Sequence, residues 1–370
     1  MPSLRLLADD LTGALDTAAE FVGLCGPFDV TWPDALPSKL PSCIAVDTGT
    51  RERDSAESVA IVDKLASTLR EGSIAYKKVD SLLRGAWAAE LGACLRTGFW
   101  TSCIMAPAFA YQGRSTRGGQ QYARAQDGSW SPVGDTLLAQ LASSGVAARP
   151  GRFDSALTAG VHVFDAESDA DLDRVVAIGR RTSQSVLWCG SGGLAGALAR
   201  GTDASAPARL RKPVLGLFGS DQAVTAAQLD ACGPAVVALS AAGDDNAGII
   251  SRKLAADGVA LVRFELAPGL SRGEAAARIA RALAALTEAL DPPGTLIVAG
   301  GETLKALCLA LGTHALRVTG RIMPGLPRSI LQGGRWAGVE VISKSGAFGS
   351  PDLWRTLLQD NHLLTERHET

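Results

Sequence analysis

The chain has 370 residues, 46% hydrophobic and 20% charged, with a formal net charge of −2 and an isoelectric point near 6.1. At roughly 150 residues per domain this length predicts two domains, or three, with ample core. The charge balance leaves no electrostatic footprint for nucleic acid, and no apolar stretch approaches the roughly 18–20 residues of a membrane span, so neither partner is expected. Met1-Pro2-Ser3 carries no basic leader before the first apolar run, which predicts a cytoplasmic chain. Seven cysteines without a Cys-x-x-Cys pair read as reduced core thiols, and the scattered histidines His162, His314, His362 and His368 suggest no zinc site and no Cys-His nucleophile.

The run Leu4 to Ala8 leads into Asp9-Asp10-Leu11-Thr12-Gly13, then into a helical pattern of Leu15, Ala18, Ala19 and Val22. This spacing predicts a parallel strand opening into a helix with Thr12 as N-cap, so both carboxylates stand at a strand mouth, where open α/β sheets bind ligands. A phosphoaspartate Asp-x-Asp site would need an acid at Ala8. The pair therefore suits proton abstraction or the holding of hydroxyls, against the competing reading of solvated turn residues.

Further strand-like runs cover Cys43 to Asp47, Ile74 to Asp80, Cys103 to Phe109, His162 to Asp165 and Ser185 to Cys189. Lys78 and Asp80 share the even face of the second of these and are either an internal ion pair or a ligand-facing mouth. Arg84, just beyond, has the fork to grip a carboxylate. The loop Gly113 to Gly119 sets Arg114 and Arg117 among glycines and hydroxyls, as an anion site or an exposed surface loop would. Gly190-x-Gly192-x-x-Ala195 passes for a dinucleotide fingerprint and keeps an NAD-dependent dehydrogenase open as an alternative.

Small residues, two prolines and a basic cluster over Gly201 to Pro213 mark a boundary, dividing the chain into domains 1–205 and 213–370. Runs then resume at Val214 to Phe218, Ala235 to Leu239, Ala260 to Phe264, Thr295 to Ala299 and Val339 to Ser343. Ser271 and Glu274 form a capping box ahead of Ile279, Leu283, Leu286 and Leu290, and Leu304, Leu307, Cys308 and Leu311 line another helix. The expected fold is two α/β domains with mainly parallel sheets and an active site in the interdomain cleft. No Walker-type loop occurs, so phosphates would be held at Phe218 to Asp221, Ala299 to Thr303 and Ser343 to Gly349; the alternative for each is a glycine chosen for tight strand-to-helix packing.

Six motifs occur in order: ADDLTGA at Ala8 to Ala14, KVDSLLRG at Lys78 to Gly85, APAF with GRSTRGG at Ala106 to Gly119, GSGGLA at Gly190 to Ala195, GGET at Gly300 to Thr303, and KSGAFGSPD at Lys344 to Asp352. Together they resemble the four-carbon acid sugar kinases over nearly the whole chain. The resemblance implies an N-terminal sugar-acid-binding domain, a C-terminal nucleotide-binding domain and ATP-dependent phosphorylation of the terminal hydroxyl of threonate, erythronate or 3-oxo-tetronate. It implies that Asp9, Asp10, Asp80, Arg84 and Arg114 line the acid site, beside Lys78, with Asp9 or Asp10 orienting or deprotonating the hydroxyl. It places Ser220, Gly300, Gly301, Glu302, Thr303, Lys344, Ser345, Gly346 and Gly349 at ATP, with Mg²⁺ shared by the phosphates, and it is compatible with a homodimer. The chain departs from the family pattern at Leu82, Gln121 and Asp221-Gln222. A sensor that keeps the fold without turnover is the non-catalytic alternative.

Overall fold

A computed structural model of the chain describes residues 2–125, 127–240, 245–266 and 269–364, so His368 lies outside the described residues. The chain divides into two compact units, Met1–Ala204 and Ser205–Thr370.

The first unit runs β1 (Leu4–Ala8), α1 (Leu11–Cys25), β2 (Phe28–Thr31), β3 (Cys43–Asp47), α2 (Ser55–Leu65), β4 (Ile74–Lys78), α3 (Trp87–Arg96), β5 (Ser102–Ala106), β6 (Arg114–Arg117), β7 (Gln120–Arg124), β8 (Trp130–Pro132), α4 (Leu137–Ser143), β9 (Ala148–Pro150), β10 (Gly160–Val163), α5 (Asp169–Arg181), β11 (Val186–Gly190) and α6 (Gly192–Leu198). Its strands lie parallel in the order β2-β3-β1-β4-β11-β5-β10-β9. Alternate residues feed opposite faces. Leu7, Ala75, Cys103 and Leu187 pack with Val62 and Leu65 of α2, Leu91 of α3 and Leu137 of α4. On the other face Tyr76 meets Phe21 of α1 edge-on at 5.7 Å, and Gly179 of α5 lies against Trp188 and Ile104. Burial on both faces explains why these strands read as continuous apolar runs.

From β1 the chain moves out to β2 and β3 and then returns across β1 to β4, so the strand order reverses between β1 and β4. A reversal opens a crevice beyond the strand carboxyl ends. Asp9-Asp10 follows one of these strands and Asp80 the other. The helix start departs from the sequence expectation: Asp10, not Thr12, is the N-cap, its side chain accepting from Gly13 N. Thr12 is inside the helix and donates its hydroxyl to Asp10 Oδ2 at 2.7 Å. A carboxylate outcompetes a hydroxyl here because it accepts both hydrogen bonds with full charge.

The second unit runs β12 (Val214–Phe218), α7 (Ala223–Cys232), β13 (Val236–Ser240), α8 (Asn246–Asp257), β14 (Val259–Glu265), α9 (Arg272–Ala289), β15 (Thr295–Ala299), α10 (Gly301–Leu311), β16 (Ala315–Met323), β17 (Leu326–Gln332), β18 (Glu340–Lys344) and α11 (Leu353–Asp360). The order β13-β14-β12-β15-β18 is parallel, and β17 and β16 continue it antiparallel. Phe218, Leu229, Ile297, Ile342, Trp354 and Leu358 share the core under α7 and α11. The capping box of α9 forms as expected, with Ser271 and Glu274 exchanging side-chain and backbone hydrogen bonds. The β16–β17 hairpin is absent from the sequence reading because Gly320, Gly325 and Pro327 break its apolar pattern. The strand order reverses again between β12 and β15. Among the described residues no helix is long and apolar enough to cross a membrane, and all seven cysteines are buried free thiols.

One polar pair is dry. Lys77 and Glu90 meet at 2.7 Å with side chains 0% and 1% exposed, so the internal ion pair on β4 belongs to Lys77, and Lys78 points the other way. Removing one member strands a charge in the core, whereas replacing both leaves an apolar contact. Glu90→Leu is expected to lower the unfolding free energy by about 3–5 kcal/mol, and Lys77→Met added to it to restore most of that loss. Urea unfolding of the two single variants and the double variant measures it.

Candidate functional site

At the crevice of the first unit the central group is Arg51, from the loop after β3. Its Nη2 donates to Asp9 Oδ1 and to Asp10 Oδ1, both at 2.7 Å. Its Nε donates to Asp9 Oδ2, and Nη1 lies 3.3 Å from Asp80 Oδ1. The backbone of the same loop is fastened to β1, since Thr50 N and Arg51 N donate to Asp9 O at 3.0 and 3.1 Å. Sequence reasoning missed Arg51 because its partners are 29 to 42 residues away and its surroundings, Gly49-Thr50-Arg51-Glu52-Arg53, look like an ordinary polar turn.

Asp80 is held as tightly. Arg84 reaches it side-on, Nε to Oδ2 at 2.8 Å and Nη2 to Oδ1 at 3.0 Å, and the amides of Leu82 and Arg84 donate to Oδ2 as well. Burial alone would raise the Asp80 carboxyl, but the Arg84 hydrogen bond and the charges of Arg51, Arg84 and Lys78 hold it well below its usual range. At Asp9 burial again opposes ionisation, and Arg51 with Lys78 and Lys77 prevails. Asp9 is 2% exposed, while the Asp10 side chain keeps 22% of its surface. Asp10 is thus the member of the pair that faces solvent.

Arg114 opens β6, its Nη1 donating to Gln112 O and Gly113 O at 2.6 and 3.1 Å. Its Nε is buried without a partner, and it stands within electrostatic reach of Asp80 and Arg84. Asp9, Asp10, Arg51, Lys78, Asp80, Arg84 and Arg114 therefore form one neighbourhood of three carboxylates and four cations. Among the described residues no carboxylate lies within ion-pair distance of Lys78, and Arg84 Nη1 has no partner.

Two glycine loops that suggested anions in the sequence are occupied by the protein itself. Gly118 N and Gly119 N donate to the Asp165 carboxylate at 2.7 and 2.8 Å, and Arg117 pairs with Glu167 at 2.7 Å while lying over Trp130 and Tyr122. The segment is a β6–β7 hairpin turn already carrying its anion. In the dinucleotide-like loop Ser191 Oγ donates to Ala108 O at 3.0 Å, and a Cβ on Gly193 would strike that same carbonyl. That glycine serves the close packing of this loop on the backbone after β5.

In the second unit the carboxyl ends of adjacent strands β12, β15 and β18 are level, with Phe218 opposite Ala299 and Ala299 opposite Lys344. Their loops therefore converge. Gly346 packs so closely on Ser220 Oγ that a Cβ would collide with it, Gly346 O accepts from Thr225 Oγ1 at 2.8 Å, and Gly300 N donates to Lys344 O at 2.9 Å. Gly300 caps α10, whose first turn holds Gly301, Glu302 and Thr303. Glu302 is 59% exposed and paired with Arg272 at 3.0 Å. Gly349 closes the loop beside Gln228, which donates to Phe348 O and Ser350 O at 3.1 and 2.8 Å.

Lys344 is 1% exposed, and its Nζ donates only to Ser345 O and Gly346 O, at 3.0 and 3.2 Å. No carboxylate pairs with it among the described residues, and burial pulls its ammonium down from 10.5 to about 7. A buried cation lacking an anion, beside a helix N-terminus and small-residue loops, is suited to phosphate. No group of three or more His, Cys, Asp or Glu side chains gathers as a metal site among the described residues.

Residues 4–149 match the model of a sugar-binding N-terminal domain, and residues 221–354 that of a nucleotide-binding C-terminal domain. A D-threonate kinase of Bordetella bronchiseptica is 30% identical over 405 aligned residues that cover 100% of this chain and 99% of the relative. A D-threonate kinase of Cupriavidus necator is 31% identical over 415, covering 95% of this chain and 96% of the relative. A solved structure from Salmonella typhimurium LT2, 19% identical, shares the fold with a TM-score of 0.75 over 97% of this chain and 100% of its own.

Arg51→Met leaves three clustered carboxylates without their shared cation and is expected to lower unfolding free energy at pH 7 by about 3–5 kcal/mol. Asp9 and Asp80 have folded-state values depressed below those of the unfolded chain. The stability they contribute is present above the ordinary carboxylate range and is lost as pH falls from that range through their lower folded-state values, so the gap between wild type and variant narrows on acidification. Denaturant titrations at pH 7 and pH 3 test this. Lys344 behaves oppositely: its folded value is depressed from 10.5 to about 7, so its burial penalty is absent at high pH and complete below about 7. Lys344→Met is expected to unfold later than wild type, by a margin larger at pH 6 than at pH 10, in paired melting curves.

Proposed function

The chain belongs to the four-carbon acid sugar kinase family, a family of phosphotransferases, and from that premise we propose that it transfers the γ-phosphoryl group of ATP to the terminal (4-) hydroxyl of a four-carbon sugar acid, with D-threonate first among the candidates. The observation that carries the reading is the charge count of the first-unit cluster. Among the described residues the carboxylates beside Arg51, Lys78, Arg84 and Arg114 are Asp9, Asp10 and Asp80. A cluster buried at its Arg51–Asp9–Asp80 centre, with one cation in excess, favours one more anion, and a sugar-acid carboxylate supplies it. Lys78, the open edge of Arg84 and Arg114 are the groups assigned to that carboxylate.

Asp10 is the acid assigned to the reacting hydroxyl. Both oxygens of Asp9 are taken by Arg51, which makes Asp9 the anchor of the guanidinium, whereas Asp10 keeps exposed surface. In phosphoryl transfer such an acid orients the nucleophile and accepts its proton. Ser220, Gly300, Gly301, Thr303, Ser345, Gly346 and Gly349 cradle the phosphates by backbone and hydroxyl, and Lys344 neutralises them. Glu302 stands at the rim with Arg272. Mg²⁺ is held mostly by substrate phosphates in such enzymes and needs one or two protein carboxylates at most; Asp221, exposed next to Ser220, fits that requirement. When bound, the ion neutralises phosphate charge. The name borne by both relatives above favours D-threonate.

The test is ADP release by purified protein with MgATP and a panel of D-threonate, L-threonate, D-erythronate and 3-oxo-tetronate. D-threonate is expected to give the highest kcat/KM. Saturable acid binding without ADP formation from any of the four would overturn the reading. Asp10→Asn is expected to lose at least ~100-fold in kcat, and near-normal turnover in that variant would take the base role from Asp10.

A further inference from the structure

Gln121 has no exposed surface and sits on β7 opposite Thr116 of β6. Its Oε1 accepts from Thr116 Oγ1 at 2.7 Å, while its Nε2 donates to Ser81 O at 2.9 Å and to Pro107 O at 3.4 Å. Two carbonyls on one side settle which end of the amide carries nitrogen, because the reverse orientation would set oxygen against oxygen.

The Ser81 carbonyl belongs to the same peptide unit as the Leu82 N–H, which donates to Asp80 Oδ2 at 3.2 Å. The carbonyl and N–H of a trans peptide point in opposite directions. Holding the carbonyl therefore aims the N–H. The loop also has reason to need holding: Leu83 adopts φ +55, a left-handed conformation that a leucine does not favour. Gln120, the neighbour of Gln121, is used differently, donating to Gln121 O and to Val133 O and Gly134 O just after β8.

We infer that Gln121 is a positioning residue for the acid site: by gripping the Ser81 carbonyl it sets the Ser81–Leu82 peptide plane, and with it the Asp80 carboxylate on which Arg84 and Arg51 converge. The chain of bonds runs from the Thr116 hydroxyl through the Gln121 amide and one peptide unit to Asp80, and each link polarises the next. The predicted effect on turnover rests on the proposed function; the effect on the loop does not.

The experiment compares Gln121→Leu, which keeps the volume and removes the donor, Gln121→His, which retains a ring N–H, and Gln120→Leu as a control on the neighbouring side chain. Hydrogen exchange over residues 79–85 is followed without acid or nucleotide, and KM for the acid, KM for ATP and kcat are measured alongside. In Gln121→Leu the amides of Leu82 and Arg84 are expected to exchange at least ~10-fold faster and the acid KM to rise by about as much, with KM for ATP unchanged. Gln121→His is expected to recover part of both effects, and Gln120→Leu to show neither. Unchanged exchange over 79–85 in a folded Gln121→Leu would overturn the inference, as would parallel rises in both KM values, which a merely structural role would produce. Should Gln121→Leu fail to fold, Gln121→His against wild type decides the exchange question. Should wild type turn over no four-carbon acid, the proposed function fails while exchange still decides the role of Gln121.

Discussion

Three carboxylates cannot share a buried crevice without a cation among them, and Arg51 is that cation. Asp9, Asp10 and Asp80 would otherwise repel one another and take up protons, since burial and like charge both raise a carboxyl group. A planar guanidinium resolves the conflict where a lysine would not, because its fork reaches three acids at once in fixed geometry. The same contacts join the loop after β3 to the ends of β1 and β4, so the charge arrangement and the backbone at the strand reversal are one structure. Asp10 can cap α1 and still face solvent because Asp9 takes the larger share of Arg51.

Neighbouring lysines on one strand illustrate how the fold separates stability from chemistry. Lys77 and Lys78 differ by one position and therefore by one face. Lys77 goes inward to Glu90 and is neutralised in the core; Lys78 goes to the other face and, among the described residues, has no carboxylate at ion-pair distance. Lys344 in the second unit repeats the second arrangement more severely, buried and bonded only to carbonyls. Under the proposed function such a cation needs no reorganisation when its anion binds, and its burial is held at the expense of folding stability.

Glycine-rich segments were the least decisive part of the sequence. GRSTRGG looked suited to an anion and GSGGLA to a dinucleotide, yet the first binds the Asp165 carboxylate and the second packs on the backbone at Ala108. A backbone amide exposed by glycine serves an internal carboxylate as well as an external phosphate, and nothing local to the loop distinguishes the two. The loops at Ser220, Gly300 and Gly346 differ because they end three adjacent strands and meet one another around a buried lysine.

The amino-acid sequence by itself determined the alternation of buried strands and helices, the capping box at Ser271 and Glu274, and the placing of Asp9-Asp10 just beyond the first strand. These are set by short-range periodicity and hydrogen bonding within a few residues. It could not reveal the β16–β17 hairpin, whose glycines and proline hide the pattern, nor the exchange of Thr12 for Asp10 as the cap, where two side chains compete for the same amides. Arg51 was hidden as well, and so was the role of Gln121, for a simple reason. Each is defined by partners up to 42 residues away, and only the order of strands in the folded sheet brings those partners together.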